Sequence, residues 1–345
     1  MNIYLNALDT LFFRDGKPFS MGEETWANGF FPPPPSVMYG ALRTAYLSEN
    51  IAEMPNVNTD IDKTSNLKIN YFSLFSNNKQ YFPCPLDIVE KKTINIDENK
   101  YCLLQCKKNE NYSNLDLSCI LKANEDVIDV SGIISILGLN NYLINNTVPT
   151  QAGILDDYVI EESKVGIGRN NITNTSDDGM LYRVGMRRLQ NMGFSVGFDG
   201  ITLSSSGLIK IGGEGKAVSY SSLSNLLNPS MPASLSDKYF KLYLATPAFF
   251  HEGWKPSLPE KYGAELVAAV VGKPLYIGGF NLKSKDKKGG WPKPMRRAVP
   301  AGSVYYYKGE LEKVKDLHGA SISDCNIEQG FGITYIGDIK KEFIP

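Results

Sequence analysis

Histidine, the residue type that most limits the chemistry open to this chain, occurs only twice in 345 residues, as His251 and His318. Two histidines cannot build a histidine-rich metal site or an H-E-x-x-H motif. The sequence also lacks the G-x-x-x-x-G-K-[ST] loop with which P-loop NTPases bind phosphates. We therefore expect no metal site and no cofactor.

Basic residues gather in two segments, although the whole chain has a net charge of −1. Residues 255–300 contain ten basic and three acidic residues, and residues 164–188 contain five and two. Single-stranded RNA is bound by cations that contact phosphates and by flat side chains that stack on bases. These segments predict one shared RNA-facing surface, with a solvated surface as the alternative. The candidate contacts are Arg169, Asn170, Arg187, Lys288, Trp291, Lys293, Arg296 and Arg297.

A glycine-rich segment, GGEGK at residues 212–216, could bind a phosphate through its backbone amides. A hairpin turn or a β-bulge is the alternative, and the sequence does not decide between them. Gly212, Gly213 and Lys216 would make the phosphate contact. The remaining candidate RNA contacts are Arg14, Lys17 and Arg43. For the two arginines, an ion pair or a surface position is the alternative.

The elements that would position these residues follow from the spacing of apolar side chains. Apolar residues recur with a helical period from Met38 to Tyr46, which predicts an amphipathic helix over residues 36–48 with Ser36 as its N-cap. The Ala-rich apolar run at residues 264–271 also predicts a helix. Residues 329–335 look like the RNP1 motif, but RNP1 is followed by another helix and strand, so we predict a last strand there instead of a base-stacking site. The predicted strands are residues 2–13, 67–75, 238–244, 275–282, 304–307 and 332–336, with a hairpin-like insertion over residues 164–203.

Two parts of the chain, residues 4–41 and 243–264, carry the same order of features. In each, a strand ends in an aromatic pair, an acidic residue and a glycine form a turn, and a proline-bearing loop leads to Tyr-Gly-Ala. Such a repeat predicts two similar modules, and the simplest fold for them is the ferredoxin-like (RRM-like) βαββαβ unit. We therefore predict an α+β protein of two such modules packed together. Their bounds are residues 1–235, with a large insertion at about 76–205 that includes a hairpin at about 164–190, and residues 236–345.

The cellular compartment is predicted from two further features. No run reaches the 18–20 apolar residues that a membrane span requires, so we expect no membrane contact. The five cysteines are odd in number and include no C-x-x-C motif, which argues against a disulfide framework and against a zinc module. We expect a cytoplasmic protein.

Several motifs, taken in order along the chain, resemble the third subunit of the Cmr module, a RAMP-superfamily protein of type III-B CRISPR effector complexes. The specific part is the N-terminal block, LDTLFFRDGKPF at residues 8–19 followed by FPPPPS at 31–36 and GALRT at 40–44. The weaker, Gly-rich parts are VGIGR at 165–169 with GMLY at 179–182, GGEGK at 212–216 and VPAGSVY at 299–305. One position departs from the pattern: Lys216 stands where we expect arginine, which puts a bidentate phosphate contact in doubt.

The resemblance implies two interlocked ferredoxin-like folds and a non-catalytic role, which is to hold the 5′ handle of the CRISPR RNA (crRNA) at the base of the complex. It implies that the partners are the crRNA, the large Palm-domain subunit and a backbone RAMP subunit. Target RNA is read by the guide, so this chain would contact it only indirectly. The hairpin at 164–190 would be the thumb that related proteins place against guide RNA.

Two alternatives remain open. The first is a metal-independent endoribonuclease that processes precursor CRISPR RNA, because RAMP relatives that cut RNA often use a histidine as general base, and His251 could take that role. Cleavage of repeat RNA in EDTA, lost in His251→Ala, would favour it. The second is a small-molecule enzyme, which the missing nucleotide and metal motifs disfavour.

Overall fold

The computed structural model describes residues 1–14, 26–27, 29–93, 99–110, 117–150, 152–281 and 291–344. Two of the predicted RNA contacts, Lys17 and Lys288, lie outside the described residues. Strands predominate over helices in the described part of the chain. The protein is thus a mixed α and β structure, as the α+β prediction requires at its coarsest level.

The strands, in chain order, are β1 (Asn2–Ala7), β2 (Trp26–Ala27), β3 (Lys68–Ser76), β4 (Lys79–Pro83), β5 (Ile88–Lys91), β6 (Tyr101–Leu103), β7 (Gln105–Lys108), β8 (Cys119–Lys122), β9 (Val127–Asp129), β10 (Ile133–Ser135), β11 (Val159–Arg169), β12 (Ser176–Leu189), β13 (Gly193–Asp199), β14 (Ser206–Lys210), β15 (Ala217–Ser222), β16 (Tyr239–Leu244), β17 (Glu265–Val270), β18 (Leu275–Ile277), β19 (Phe280–Asn281), β20 (Trp291–Pro292), β21 (Arg296–Ala298), β22 (Val304–Lys308) and β23 (Thr334–Asp338). The α-helices are α1 (Pro35–Glu49), α2 (Ile136–Asn145), α3 (Leu258–Lys261) and α4 (Leu311–Val314). Short 3₁₀ helices cover Ile51–Asn56, Lys63–Asn66, Leu155–Asp157, Lys315–Leu317, Ile327–Gln329 and Lys341–Phe343.

The first half of the chain is built on a sheet in which seven described strands follow the order β10-β4-β3-β13-β1-β15-β14. All neighbouring strands are antiparallel. The helix α1 connects β1 to β3 and buries its apolar side, including Met38 and Leu42, in the core beneath the sheet. The predicted helix is therefore present, but it begins at Pro35 and not after an N-cap Ser36. Proline is suited to the first helical position because its missing N–H would have no partner there.

The second half contains a four-stranded antiparallel sheet with the order β17-β22-β16-β23. The helix predicted at residues 264–271 is wrong, because this run forms β17 and pairs with β22. A short apolar run has no periodicity that separates a buried strand from a buried helix, so pairing with β22 decided the outcome. The strands predicted near 238–244 and 304–307 are present as β16 and β22.

One hydrophobic core joins the two halves. It contains Tyr71 and Leu143 from the first half together with Tyr243, Tyr306 and Tyr335 from the second. The helix α2 lies against β23, so closely that a Cβ on Gly337 would be 2.9 Å from Cδ2 of Leu143. The halves are therefore packed through a shared apolar interior, while the predicted division at residue 235 stays a prediction.

A buried polar cluster lies inside this shared core. Asp87 is fully buried and accepts hydrogen bonds from the hydroxyls of Tyr142, at 2.8 and 2.7 Å, and Tyr306, at 2.6 Å. Lys241, also fully buried, donates to Oδ1 of Asn146 at 3.0 Å and lies 3.6 Å from the centroid of the Tyr142 ring. Burial lowers the pKa of Lys241 to about 8, against the opposing effect of the Asp87 charge. Because these residues come from both halves, polar as well as apolar contacts fix how the halves meet.

Two antiparallel ribbons extend from the sheets. The first is the hairpin β11–β12, which pairs along residues 159–189 and confirms a hairpin in the predicted insertion. The second pairs β18 with β21 and β19 with β20. The first ribbon occurs in the chain between β3 and β13, and the second occurs between β17 and β22. Among the described residues, no helix is both long and apolar enough to cross a membrane.

Candidate nucleic-acid interface

Three segments that are far apart in sequence meet at one end of β1. The backbones of Leu11 and Arg187 exchange two hydrogen bonds, from N to O at 2.8 and 2.7 Å, which fixes the base of the β11–β12 hairpin beside the N-terminal segment. The backbone N–H of Gly213 donates to the carbonyl of Phe12 at 2.8 Å. The N-terminal motif, the hairpin and the glycine-rich segment, each predicted separately to contact RNA, are therefore brought together.

The glycine-rich segment is the loop of the hairpin that β14 and β15 form, which is one of its two predicted alternatives. Gly212 has a φ of +69° and a Cβ there would lie 2.4 Å from the carbonyl oxygen of Phe12, so this site requires glycine. The adjoining Gly213 packs on the Phe12 ring, because a Cβ added at residue 213 would lie 3.0 Å from Cδ1 of Phe12. Packing therefore explains both glycines, and a phosphate contact by the loop amides stays a prediction.

Lys216, at the end of this loop, is held by Asp9. Its Nζ lies 2.5 Å from Oδ2 of Asp9, and the other carboxylate oxygen lies 3.6 Å from Nη2 of Arg188. Arg188 also binds Glu162 through two nitrogens, at 2.6 and 3.1 Å. The hydrogen bond from Lys216 is the main cause that lowers the pKa of Asp9 below its usual value, so this carboxylate is ionised at neutral pH.

Lys164 and Glu214 complete the same group, with 2.7 Å between Nζ and Oε2. We call these six residues the charged cluster: Asp9, Glu162, Lys164, Arg188, Glu214 and Lys216. Three cations face three carboxylates, so the cluster has no net charge. Most of its side chains keep a third or more of their surface exposed, and Lys216 is the least exposed at 19%. The predicted cations are thus present at an accessible surface, but each already has an anionic partner.

Arg187 lies on the other face of the hairpin, because neighbouring residues of a strand point to opposite faces. It pairs there with Glu161. At the tip of the hairpin, Arg169 donates to Oδ1 of Asn174 at 2.7 Å, and Asn170 accepts the backbone N–H groups at residues 172 and 173. Asn170 therefore shapes the turn, a role that does not require RNA.

Arg43 lies away from the charged cluster. Its guanidinium donates to Asp62 at 2.5 Å, to Asn58 at 2.9 Å and to Thr64 at 2.6 Å. Burial raises the pKa of Asp62, but hydrogen bonds from Thr64 and Asn58 and the charge of Arg43 outweigh it and lower the pKa to about 2. The ion-pair alternative for Arg43 is therefore the arrangement present. Arg14 is exposed and pairs through its backbone with Gly29.

The C-terminal ribbon carries the second group of predicted contacts. Lys293, Arg296 and Arg297 are exposed, and Trp291 is half-buried. Arg296 donates to Sγ of Cys325 at 3.1 Å, and Arg297 lies opposite the exposed Tyr276 across the ribbon. This ribbon therefore carries both cations and aromatic rings, and a common surface with the hairpin stays a prediction.

Three features bear on the enzymatic alternatives. His251 is exposed, whereas His318 is largely buried: its Nε2 donates to the carbonyl of Pro229 at 2.8 Å, and its Nδ1 accepts the N–H of Ile336 at 3.1 Å. Burial lowers the pKa of His318, so it is neutral and both nitrogens are engaged. In the described part of the chain, no group of three or more His, Cys, Asp or Glu residues could hold a metal ion.

Two sequence patterns are buried and lack the access that chemistry or stacking needs. GFSVG at residues 193–197 has the spacing of a hydrolase motif. Its Ser195 lies inside β13, fully buried, 2.7 Å from the hydroxyl oxygen of Ser73. Phe331 is likewise fully buried and packs on Phe249 with 4.7 Å between ring centroids, so it cannot stack on a base.

A family model described as CRISPR-associated protein (Cas_Cmr3) matches residues 3–339. The chain belongs to this family. The resemblance to the third subunit of the Cmr module, which the sequence motifs indicated, is thereby confirmed. No curated protein matches the chain.

Solved structures with a similar fold include two from the type III-B Cmr-beta complex, one bound to cognate target RNA and AMPPnP in state 1, and one bound to cognate target RNA. Both have a TM-score of 0.54, with 14% and 16% identity, over 89% of this chain and 86% of the other. A chain of the Csm3–Csm4 subcomplex of a type III-A CRISPR-Cas interference complex matches 90% of this chain and 94% of that one, with a TM-score of 0.39 and 12% identity. At these identities the two Cmr-beta matches show a shared fold.

Proposed function

We propose that this chain is a non-catalytic, RNA-binding structural subunit of a type III-B CRISPR effector complex. In this role it holds the 5′ handle of the crRNA and bridges the large Palm-domain subunit to the backbone RAMP subunits. The observation that carries the proposal is the convergence of the N-terminal motif, the hairpin and the glycine-rich loop at one end of β1. Membership of the Cas_Cmr3 family supports the assignment of this chain to a type III-B effector complex.

The strand orders support the two ferredoxin-like modules within this proposal. Counting along the chain, β1, β3, β13 and β15 lie in the spatial order 2-3-1-4, and β16, β17, β22 and β23 lie in the same order. All neighbours are antiparallel, which is the arrangement that a βαββαβ connection produces. The helices are reduced: β14 stands where the second helix of the first module would be, and α3 and α4 have four residues each.

The hairpin has the two faces that a thumb against RNA would need. On one face, Val184 and Met186 are buried against Phe12 and Ala27, which anchors the hairpin to the body of the protein. On the other face, Val165 remains 54% exposed. We infer that guide RNA or a neighbouring subunit can contact this exposed face as well as the charged cluster, whose Glu162 and Arg188 share the anchored face with Met186.

Handle binding is tested with the full chain and two labelled RNAs of equal length, one with the crRNA 5′ handle and one with a scrambled handle. Arg169→Ala, Lys216→Ala and Arg296→Ala should each weaken binding several-fold, because each removes a cation from a phosphate-binding surface. Lys315→Ala is the matched control, since Lys315 is an exposed lysine paired with Glu312 in the second half. Equal affinity for the two RNAs would contradict handle recognition.

The non-catalytic role is tested with repeat RNA incubated in EDTA. We expect no cleavage by the full chain. Specific cleavage by the wild-type protein that disappears in His251→Ala would instead establish the endoribonuclease alternative, because a single exposed histidine would then be acting as general base.

A further inference from the structure

The charged cluster contains a site for one RNA phosphate that the protein itself occupies. Resting on the proposed RNA-binding function, we propose that Lys216 and Arg188 bind a backbone phosphate, and that Asp9 is the intramolecular anion which this phosphate displaces. The carboxylate of Asp9 contributes one oxygen to each cation, at 2.5 Å to Lys216 and 3.6 Å to Arg188. A phosphate group also presents separate anionic oxygens, so it can replace both contacts at once.

The position of Asp9 makes this exchange possible. Asp9 follows β1 and precedes the Leu11–Arg187 backbone bridge, so it belongs to an exposed bend and its side chain is 55% exposed. A carboxylate at this level of exposure can return to water at little cost, because exposed ion pairs are weak and screened. Lys216 is 19% exposed, and its backbone N–H donates to the carbonyl of Gly213 within the same loop, a contact that does not depend on Asp9.

Arg188 remains positioned when Asp9 leaves. Two of its nitrogens bind Glu162, at 2.6 and 3.1 Å, and this bidentate pair fixes the plane of the guanidinium. The Arg188 nitrogen nearest Asp9 is Nη2, which is also one of the two nitrogens that bind Glu162. Nη2 carries a second N–H group, which can donate to a phosphate in place of Asp9 while the guanidinium stays fixed on Glu162. Displacement of one carboxylate leaves the cluster with one uncompensated positive charge, which the phosphate neutralises.

As a consequence, the phosphate site has no net charge until RNA binds. An uncompensated lysine and arginine would attract any polyanion through the sequence-independent electrostatic term. With Asp9 in place, each arriving phosphate must compete with a tethered anion, so weakly held RNA is disfavoured. An RNA that gains further contacts elsewhere on the protein can offset this competition.

The test measures the affinity of the full chain for 5′-labelled RNA that carries the crRNA handle, by fluorescence anisotropy at fixed salt. Asp9→Asn removes the charge but keeps the shape, and we expect Kd to fall about two- to fivefold, the range for one exposed ion pair. Asp199→Asn is the matched control, because Asp199 is an exposed carboxylate beyond the other end of the β1–β13 pair, on the order of 25 Å away, and several screening lengths separate the two sites. Its Kd should equal that of the wild type.

A double-mutant cycle separates this proposal from the function on which it rests. Lys216→Ala should raise Kd, and the gain from Asp9→Asn should shrink when Lys216 is absent, because the two side chains act on the same phosphate. If Asp9→Asn weakens binding or matches Asp199→Asn, Asp9 is not a competitor, while the RNA-binding function stands. If neither Lys216→Ala nor Arg188→Ala changes Kd, the phosphate does not bind here, and the RNA-binding surface itself must be placed elsewhere. Urea unfolding of each variant ensures that changes in Kd do not reflect loss of structure.

Discussion

The hydrogen bond from the Tyr306 hydroxyl to Asp87 joins the two halves of the chain, because Tyr306 belongs to the second half and Asp87 to the first. The stability lost when this bond is removed therefore reports how strongly the halves are joined. The bond is 2.6 Å long and both residues are buried. Tyr306→Phe removes one oxygen and leaves the ring in place. A hydrogen bond to a charged group contributes about 1.5–3 kcal/mol. Since Tyr142 still donates to the carboxylate, we expect a value near the lower end, a loss of about 2 kcal/mol in the free energy of unfolding.

Urea unfolding followed by circular dichroism gives this quantity. Tyr4→Phe is the matched control, because the Tyr4 hydroxyl makes only a long, 3.4 Å contact with Asn6, and its loss should cost less than about 0.5 kcal/mol. Asp87→Ala should cost more than either, about 3–5 kcal/mol, because it leaves the buried hydroxyls of Tyr142 and Tyr306 without their acceptor and removes one of the two carboxylates whose charge favours the buried Lys241 ammonium. A Tyr306→Phe cost no greater than that of Tyr4→Phe would refute the claim that this polar cluster joins the halves.

Three further predictions concern other contacts. Because burial lowers the pKa of His318, the unfolded chain takes up a proton near pH 6.5 that the folded protein does not; stability should therefore fall as pH drops below about 6.5, and the urea midpoint of His318→Gln should lose this dependence. Asp62→Asn should lower the free energy of unfolding by about 1–3 kcal/mol at pH 7, with the difference shrinking as pH falls from 3.8 toward 2, because the wild-type carboxylate is then protonated as well; acid titration of both proteins measures this. Gly212→Ala should destabilise the protein more than Gly215→Ala in thermal unfolding, because both positions have a positive φ but only a Cβ at 212 meets the Phe12 carbonyl.

The sequence predicted elements whose side chains have a clear period. The helix at 36–48 is present as α1 because its apolar residues recur at a spacing that one helix face can bury. The run at 264–271 has no such period, and a strand partner 34 to 43 residues later, β22, made it a strand. A local pattern does not contain that partner. Likewise, the 2-3-1-4 strand order found in both sheets follows from long-range pairing, which the internal repeat alone does not specify.

The residue types of the candidate site could be predicted from the sequence, but the ion pairs that these residues form could not. Counting bases in segments identified Arg187, and the glycine-rich motif identified Lys216, yet neither could show that each lysine or arginine faces a carboxylate. Asp9 and Lys216 are 207 positions apart, so only the folded chain reveals their contact. Local pairs are easier to predict: the ion-pair alternative for Arg43 is confirmed, and its partner Asp62 lies only 19 positions away in sequence.

The packing of α2 against β23 has a consequence for synthesis. Leu139 and Leu143, in the first half of the chain, are fully buried, and Gly337 of the last strand closes over Leu143. As the chain emerges from the ribosome, that surface stays uncovered until β23 has been made, because β23 begins at Thr334 whereas α2 ends at Asn145. An exposed apolar surface on an incomplete chain is a site for aggregation or chaperone binding. The core of the nascent first half therefore remains incomplete, and needs protection, until β23 arrives.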